Sequence, residues 1–236
     1  MITGFFNINK PAGLTSAKVV SRVKRIINQR DLGHMGTLDP MATGVLIVAA
    51  GRQATKMFDE LHKRPKEYIA EFKFGIDTDT LDITGTVLSE GGRIPDDGEI
   101  LKALPSLTGK ISQIPPAYSA KSVNGVKAYK LARRGETFDL KPKTIEVFSF
   151  NLLSCNTYNT FRFKIVCGGG TYIRSLARDL GALLGTKCVM SGLVRTMNAG
   201  FRIENAVTLE ELEKDYLKYL QTPRPDGHPS NLEGNV

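Results

Sequence analysis

Gly33-His34-Met35-Gly36-Thr37-Leu38-Asp39-Pro40-Met41-Ala42-Thr43-Gly44 packs three glycines, two threonines and a proline into twelve residues. Such a stretch reads as a loop: glycine lets backbone approach a neighbour closely, and an Asp before Pro is pushed out of the helical region and held presented. Taken alone, the Asp-Pro pair is equally an Asx-turn in which the carboxylate bonds its own loop. The surroundings make the loop a link between regular elements. Upstream, Phe5 to Asn9 reads as a short strand ended by Lys10-Pro11-Ala12-Gly13. Val19, Val20, Val23, Ile26 and Ile27 then recur at helical spacing, predicting an amphipathic helix over 16–29. Downstream, Val45 to Ala50 is an unbroken apolar run of strand length.

Further along, Ala54, Met57, Phe58 and Leu61 predict a short helix, with strands at Tyr68 to Phe74 and Thr84 to Leu88. Asp96 or Asp97 can cap a helix carrying Ile100, Leu101 and Leu104. Residues 105–143 hold Pro105, Pro115, Pro116 and Pro142 and little apolar content, so they read as an exposed excursion. One short helix is expected inside it around Ala128 to Arg134, closed by Gly135. Strands resume at Ile145 to Leu153 and Phe161 to Cys167, followed by a clear helix from Ile173 to Leu184. A further strand is expected from Cys188 to Val194, and Thr208 with Glu211 forms a capping box for a last helix reaching about Leu220. Strands and helices alternate irregularly, which makes the fold class α+β around one mixed sheet with flanking helices. The domain is expected to span 1–221, leaving a frayed tail at 222–236.

Composition narrows the function classes. With 32 Lys and Arg against 24 acids, the 236-residue chain carries +8 and attracts polyanions. The charge is segregated. Eight basic and two acidic residues lie between Lys110 and Lys143, among them Lys127, Lys130, Arg133 and Arg134, while acids gather at Glu210, Glu211, Glu213 and Asp215. A second basic stretch runs from Lys10 through Lys18, Arg22, Lys24 and Arg25 to Arg30. One face for phosphates is expected. The three cysteines are far apart and form neither a paired framework nor a metal signature. No apolar run is long enough for a membrane span and no secretory signal is visible, so a cytoplasmic protein is expected. Asp77 to Asp82 lacks the glycine and the final acid of a calcium loop, and Gly168-Gly169-Gly170-Thr171 lacks a following Lys-Ser/Thr. Neither a metal nor a cofactor is implied.

The loop as a whole, with Asp39 after Gly-Thr-Leu, resembles the catalytic loop of the TruB family of pseudouridine synthases. Other stretches match in order: Asn9 to Ser16, Lys66-Glu67-Tyr68, Gly75 to Gly85, Leu107 to Gly135, Gly170 to Leu176, and Leu193-Val194-Arg195. The resemblance covers about residues 3–220. It implies a largely antiparallel sheet with a basic RNA-clamping insertion at 105–143, and isomerisation of a uridine in the T-loop of tRNA at position 55. Asp39 is then the essential carboxylate, Arg174 its guanidinium partner, and Tyr68 the ring that stacks on the flipped uracil and takes the C5 proton. Lys10, His34, Tyr172 and Leu193 are implied at the substrate site, Tyr172 packing beneath the loop. Lys127, Lys130, Arg133 and Arg134 would contact RNA. Met35 stands where the family usually has Thr, and Lys121 lies one position early. Many members continue into a PUA domain, whereas the sequence stops at Val236; weaker hold on the acceptor end is expected. A monomer acting on the T-arm is the expected assembly. The alternatives are a tRNA-folding module without catalysis, a synthase acting on another RNA, and, on charge alone, a DNA-binding or ribosomal accessory protein.

Overall fold

The structure is a computed structural model that describes residues 1–222; the expected tail lies, apart from Thr222, outside the described residues. In chain order the elements are β1 (Gly4–Lys10), α1 (Ser16–Ile26), β2 (Leu32–Met35), β3 (Thr43–Ala50), α2 (Arg52–Lys56), α3 (Phe58–Leu61), β4 (Lys66–Phe74), β5 (Ile76–Thr78), β6 (Val87–Glu90) and α4 (Asp97–Ala103). There follow β7 (Gly109–Gln113), β8 (Ser122–Val123), β9 (Val126–Lys127), α5 (Ala128–Arg133), β10 (Lys143–Thr157), β11 (Thr160–Cys167), α6 (Ile173–Leu183), β12 (Cys188–Asn198), β13 (Phe201–Arg202) and α7 (Leu209–Lys214). The described residues form two compact units, one of residues 1–68 and 193–222, the other of residues 69–192. This is the expected α+β class with a mostly antiparallel sheet. No helix among the described residues is long and apolar enough to cross a membrane.

In the first unit β3 is the central strand. It pairs antiparallel with β1 and β2, and in parallel with β12 at Thr43–Val194 and Gly44–Arg195. Its unbroken apolar run is explained by burial on both faces. Leu46, Val48 and Ala50 pack with Phe6, Ile8 and the Val19, Val20, Val23 stripe of α1. Val45, Ile47 and Ala49 pack with Phe5, Met35, Ala54, Leu61 and Phe201. Helix α1 begins where the Thr15 side chain accepts the Lys18 amide at 3.1 Å. It ends earlier than its apolar spacing suggests, because Asn28 turns into the left-handed region at φ 49°. Nor is the glycine-rich segment all loop. Its first residues, through Met35, pair as β2 with His34 opposite Val48, so only 36–42 is irregular.

In the second unit the strands run β12, β4, β11, β10, β7. Phe72 and Phe163 lie 5.0 Å apart between ring centres, with Phe150 5.3 Å from Phe163. The expected excursion at 105–143 is narrower than its composition suggests. Gly109–Gln113 pairs with Lys143–Val147, and Leu104, Leu107 and Gln113 are buried. One isoleucine among Gly-Lys-Ile-Ser-Gln gives too little alternation for a strand to be visible. Inside the insertion β8 and β9 form a two-residue hairpin through Asn124 and Gly125, at φ 49° and 83°, the pairing that a type I′ turn favours. Strand β12 runs on to Asn198, four residues past the expected Val194. The last α-helix ends at Lys214, where Asp215 leaves helical geometry at φ −160°.

Gly44 holds the first unit's sheet to the loop. It sits at φ 96°, and a Cβ there would meet the Arg195 backbone nitrogen at 2.9 Å, with its carbonyl oxygen nearer still. Replacing Gly44 by Ala is expected to cost about 3 kcal/mol or more, from left-handed strain and a backbone clash together. Urea denaturation of Gly44→Ala measures the loss.

Candidate active site

All the elements that hold Asp39 lie in the first unit. The chain leaves β2 at Met35 and enters β3 at Thr43, and the irregular residues between are tied to rigid neighbours. Ser16, buried at the first turn of α1, uses one hydroxyl twice: its Oγ accepts the Leu38 amide at 2.9 Å and donates to the Leu38 carbonyl at 3.2 Å. The Pro40 carbonyl accepts the Gly13 amide at 2.8 Å, and the Asp39 carbonyl accepts Ala42 N at 3.1 Å. At the entrance Asn198 donates to the Met35 carbonyl at 3.2 Å, and Arg195 Nη2 donates to the Gly36 carbonyl at 2.9 Å. Asp39 itself is half-buried.

Lys10, at the end of β1, is fully buried, and its ammonium donates to the carbonyls of Ala42 at 2.6 Å, Pro11 at 2.8 Å and Pro40 at 3.2 Å. Burial lowers its pKa from 10.5 to about 8; the Asp39 charge works against that shift and Arg195 adds to it. Lys10 is thus still protonated near neutrality, with its donors turned on the loop that carries Asp39. The Arg195 guanidinium is 1 % exposed and also donates through Nε to the Val45 carbonyl at 2.7 Å. His34, on β2, meets the Thr37 hydroxyl at 3.3 Å. Its pKa is lowered by burial and by Arg195, leaving the ring neutral at pH 7.

Tyr68 is 6 % exposed and shares the buried face of β4 with Lys66, whose ammonium donates to the His62 carbonyl at 3.3 Å. Leu193, where β12 enters the first unit, is 8 % exposed. The structure thus brings Lys10, His34 and the Asp39 loop together around Arg195.

Arg174, Tyr172 and the basic insertion belong to the second unit. Arg174 opens α6 with 6 % exposure. It donates to the carbonyls of Thr80 at 2.8 Å and Tyr118 at 3.1 Å, and lies 3.6 Å from the buried carboxylate of Asp82. That carboxylate also takes the hydroxyls of Thr80 at 2.9 Å and Thr84 at 2.5 Å, so the acids of 77–82 are engaged internally; Asp79 accepts from Tyr118 Oη at 3.0 Å. No cluster of metal-ligating residues occurs among the described residues. Tyr172 caps α6, and its backbone is held at both groups by the Gln113 amide, at 2.9 Å and 3.2 Å. Lys127 just before α5, Lys130 and Arg133 on it, and Arg134 just after it lie at the surface, with Arg133 5.5 Å over the Tyr129 ring and Arg134 3.5 Å from Glu136.

Ser16, Asp82 and Gln113 escaped the sequence reading as site residues, and Arg195 was read only as part of a strand motif. Serines, amides and acids of this kind have no periodic signature. Ser16, Asp82 and Arg195 lie inside stretches that match the family, but nothing in those stretches singles out the bonds they make.

The fold has solved counterparts. A chain of a Cbf5–Nop10–Gar1 complex is similar at TM-score 0.70 and 31% identity, covering 90% of this chain and 54% of that one. A chain of an H/ACA RNP bound to a substrate RNA containing 2′-deoxyuridine is similar at TM-score 0.67 and 29% identity, over 90% and 53%. This chain thus spans about half the length of those two. Fold and loop together define a class, the pseudouridine synthases. Residues 24–173 match the model of the N-terminal domain of TruB family pseudouridylate synthases, and residues 174–228 that of the tRNA pseudouridylate synthase B C-terminal domain. The tRNA pseudouridine synthase B of Lactobacillus delbrueckii subsp. bulgaricus is 42% identical over 90% of this chain and 74% of its own length. That of Prochlorococcus marinus is 45% identical over 90% and 68%. The chain belongs to the TruB family.

The folded protein disfavours the proton on Lys10, so between about pH 8 and 10.5 the unfolded chain binds more protons and stability rises with pH. The stability difference between wild type and Lys10→Met is therefore expected to grow across that window, at no more than about 1.4 kcal/mol per pH unit. Urea denaturation of both proteins at several pH values checks it; a constant difference means an ordinary lysine.

Proposed function

We propose that the protein isomerises uridine to pseudouridine in the T-loop of tRNA, at position 55, with Asp39 as the catalytic carboxylate. The observation that carries this reading is a half-buried aspartate on a loop whose flanking peptides are each held by hydrogen bonds. Names of relatives such as tRNA pseudouridine synthase B support tRNA as the substrate; the T-loop position follows the family resemblance.

The chemistry asks for little else. The N1–C1′ bond breaks, the uracil turns, C5 bonds to C1′, and the proton that leaves C5 is balanced by one gained at N1. Nothing is oxidised, and one ionised carboxylate acting as nucleophile or base suffices. The base must leave its stack to be reached, and unpaired loops are where RNA permits that. Tyr68 is assigned to stack on the extruded uracil and to take the C5 proton, Leu193 to contact the base, and Arg174 to supply the counter-charge of Asp39. His34, neutral at pH 7, is suited to occupy the space the nucleotide vacates, and Tyr172 to pack beneath the loop. Lys10 serves the substrate through the loop it grips. The surface residues Lys127, Lys130, Arg133 and Arg134 are assigned to the RNA backbone.

Asp39→Asn is expected to stay folded and bind tRNA while product formation falls about 10⁴-fold or more. Tritium release from tRNA carrying 5-tritiated uridine reads the rate, and normal release by the variant ends this reading. Removing both charges in Lys130→Ala/Arg133→Ala is expected to weaken tRNA binding. The salt dependence of log K should become shallower by about one for each phosphate that the variant no longer neutralises, measured by filter binding from low to moderate salt.

A further inference from the structure

We infer that Ser16 is a positioning residue for Asp39, acting through the peptide that joins Leu38 to Asp39. The inference rests on the reading of Asp39 as the catalytic group. The direction of a side chain is set by the two peptides on either side of its Cα and by its own torsions. On the far side of Asp39, the Ala42 amide holds the Asp39 carbonyl at 3.1 Å, and the Pro40 carbonyl is held by Gly13 N at 2.8 Å and by Lys10. On the near side the hold comes from the Ser16 hydroxyl, which donates to the Leu38 carbonyl at 3.2 Å while accepting the Leu38 amide at 2.9 Å. A hydroxyl has one proton to give and lone pairs to receive, so one Oγ can fix both groups of the same residue. With both peptides held, the direction of the Asp39 Cα–Cβ bond is set.

A purely helical role for Ser16 does not account for this. The cap of α1 is Thr15, whose side chain already accepts the Lys18 amide at 3.1 Å. Ser16 is 2 % exposed and spends its hydroxyl across 22 positions of sequence on the loop. Loss of that hydroxyl frees the Leu38–Asp39 peptide to rotate, and a carboxylate displaced by about an ångström loses rate without losing RNA affinity.

The experiment compares wild type, Ser16→Ala and Thr15→Ala. Single-turnover pseudouridine formation at saturating tRNA, tRNA dissociation constant and Tm are measured on each. Ser16→Ala is expected to lower the single-turnover rate about 10- to 100-fold with the dissociation constant unchanged. Thr15→Ala, which weakens the same helix end without touching Leu38, is expected to lower Tm while the rate is kept. Should Ser16→Ala fail to fold, Ser16→Cys keeps the side chain's place with weaker hydrogen bonds and is expected to lower the rate in the same way. A wild-type rate in the folded Ser16 variant, an effect confined to the dissociation constant, or an equal rate loss in Thr15→Ala overturns the inference. A wild-type protein that forms no pseudouridine overturns instead the reading of Asp39 itself.

Discussion

A buried ammonium gripping three backbone carbonyls is the constraint on which the first unit's site depends. Lys10 ends β1 and cannot reach water, so its charge is tolerable only while Pro11, Pro40 and Ala42 point their oxygens at it. The lysine needs the loop to satisfy its charge, and the loop needs the lysine to satisfy carbonyls that no strand or helix pairs. Such mutual dependence converts a segment rich in glycine into one conformation. The entropy given up by the loop is offset by bonds to groups already fixed in β1, α1 and β12.

Two buried cations share the surroundings of Asp39. Lys10 and Arg195 are both buried cations, and Arg195 disfavours the charge on Lys10. Two such groups under one loop are costly unless a negative charge sits among them, and the Asp39 carboxylate raises the Lys10 pKa in the manner of that charge. Burial, and then Arg195, lower the His34 pKa, so that the ring can meet the Thr37 hydroxyl without adding a third positive charge.

How much of this was legible in the sequence differs by kind of signal. Apolar periodicity carried α1, β3, β11 and α6, because those elements bury a stripe or a run against other elements. It missed β7, whose place is set by pairing with β10 rather than by side-chain burial, and it overran α1, where the backbone turn at Asn28 ends the helix. The Asp39 loop was legible as a motif because Asp39, Pro40 and the flanking glycines are adjacent in sequence. Of its supports, Lys10 came with the motifs, but the partners that hold Leu38 and Gly36 did not. Ser16 and Leu38 are 22 positions apart and Arg195 and Gly36 are 159 apart, and nothing in the sequence links the members of either pair. Motifs show where chemistry is done; the residues that aim it are visible only once the chain is folded.

The second unit repeats the same physical solution with different residues. Gln113 holds the amide and the carbonyl of Tyr172, as Ser16 holds those of Leu38, and in each case a key side chain follows within two positions. Arg174, two residues after Tyr172, is then held by two carbonyls and by Asp82. A guanidinium can donate five bonds from a rigid plane, so its direction is set by whichever acceptors surround it. With the Thr80 and Tyr118 carbonyls on different nitrogens, the plane of Arg174 is fixed before any substrate arrives. A charge oriented in advance costs no reorganisation when it is used, which is what the role proposed for Arg174 requires.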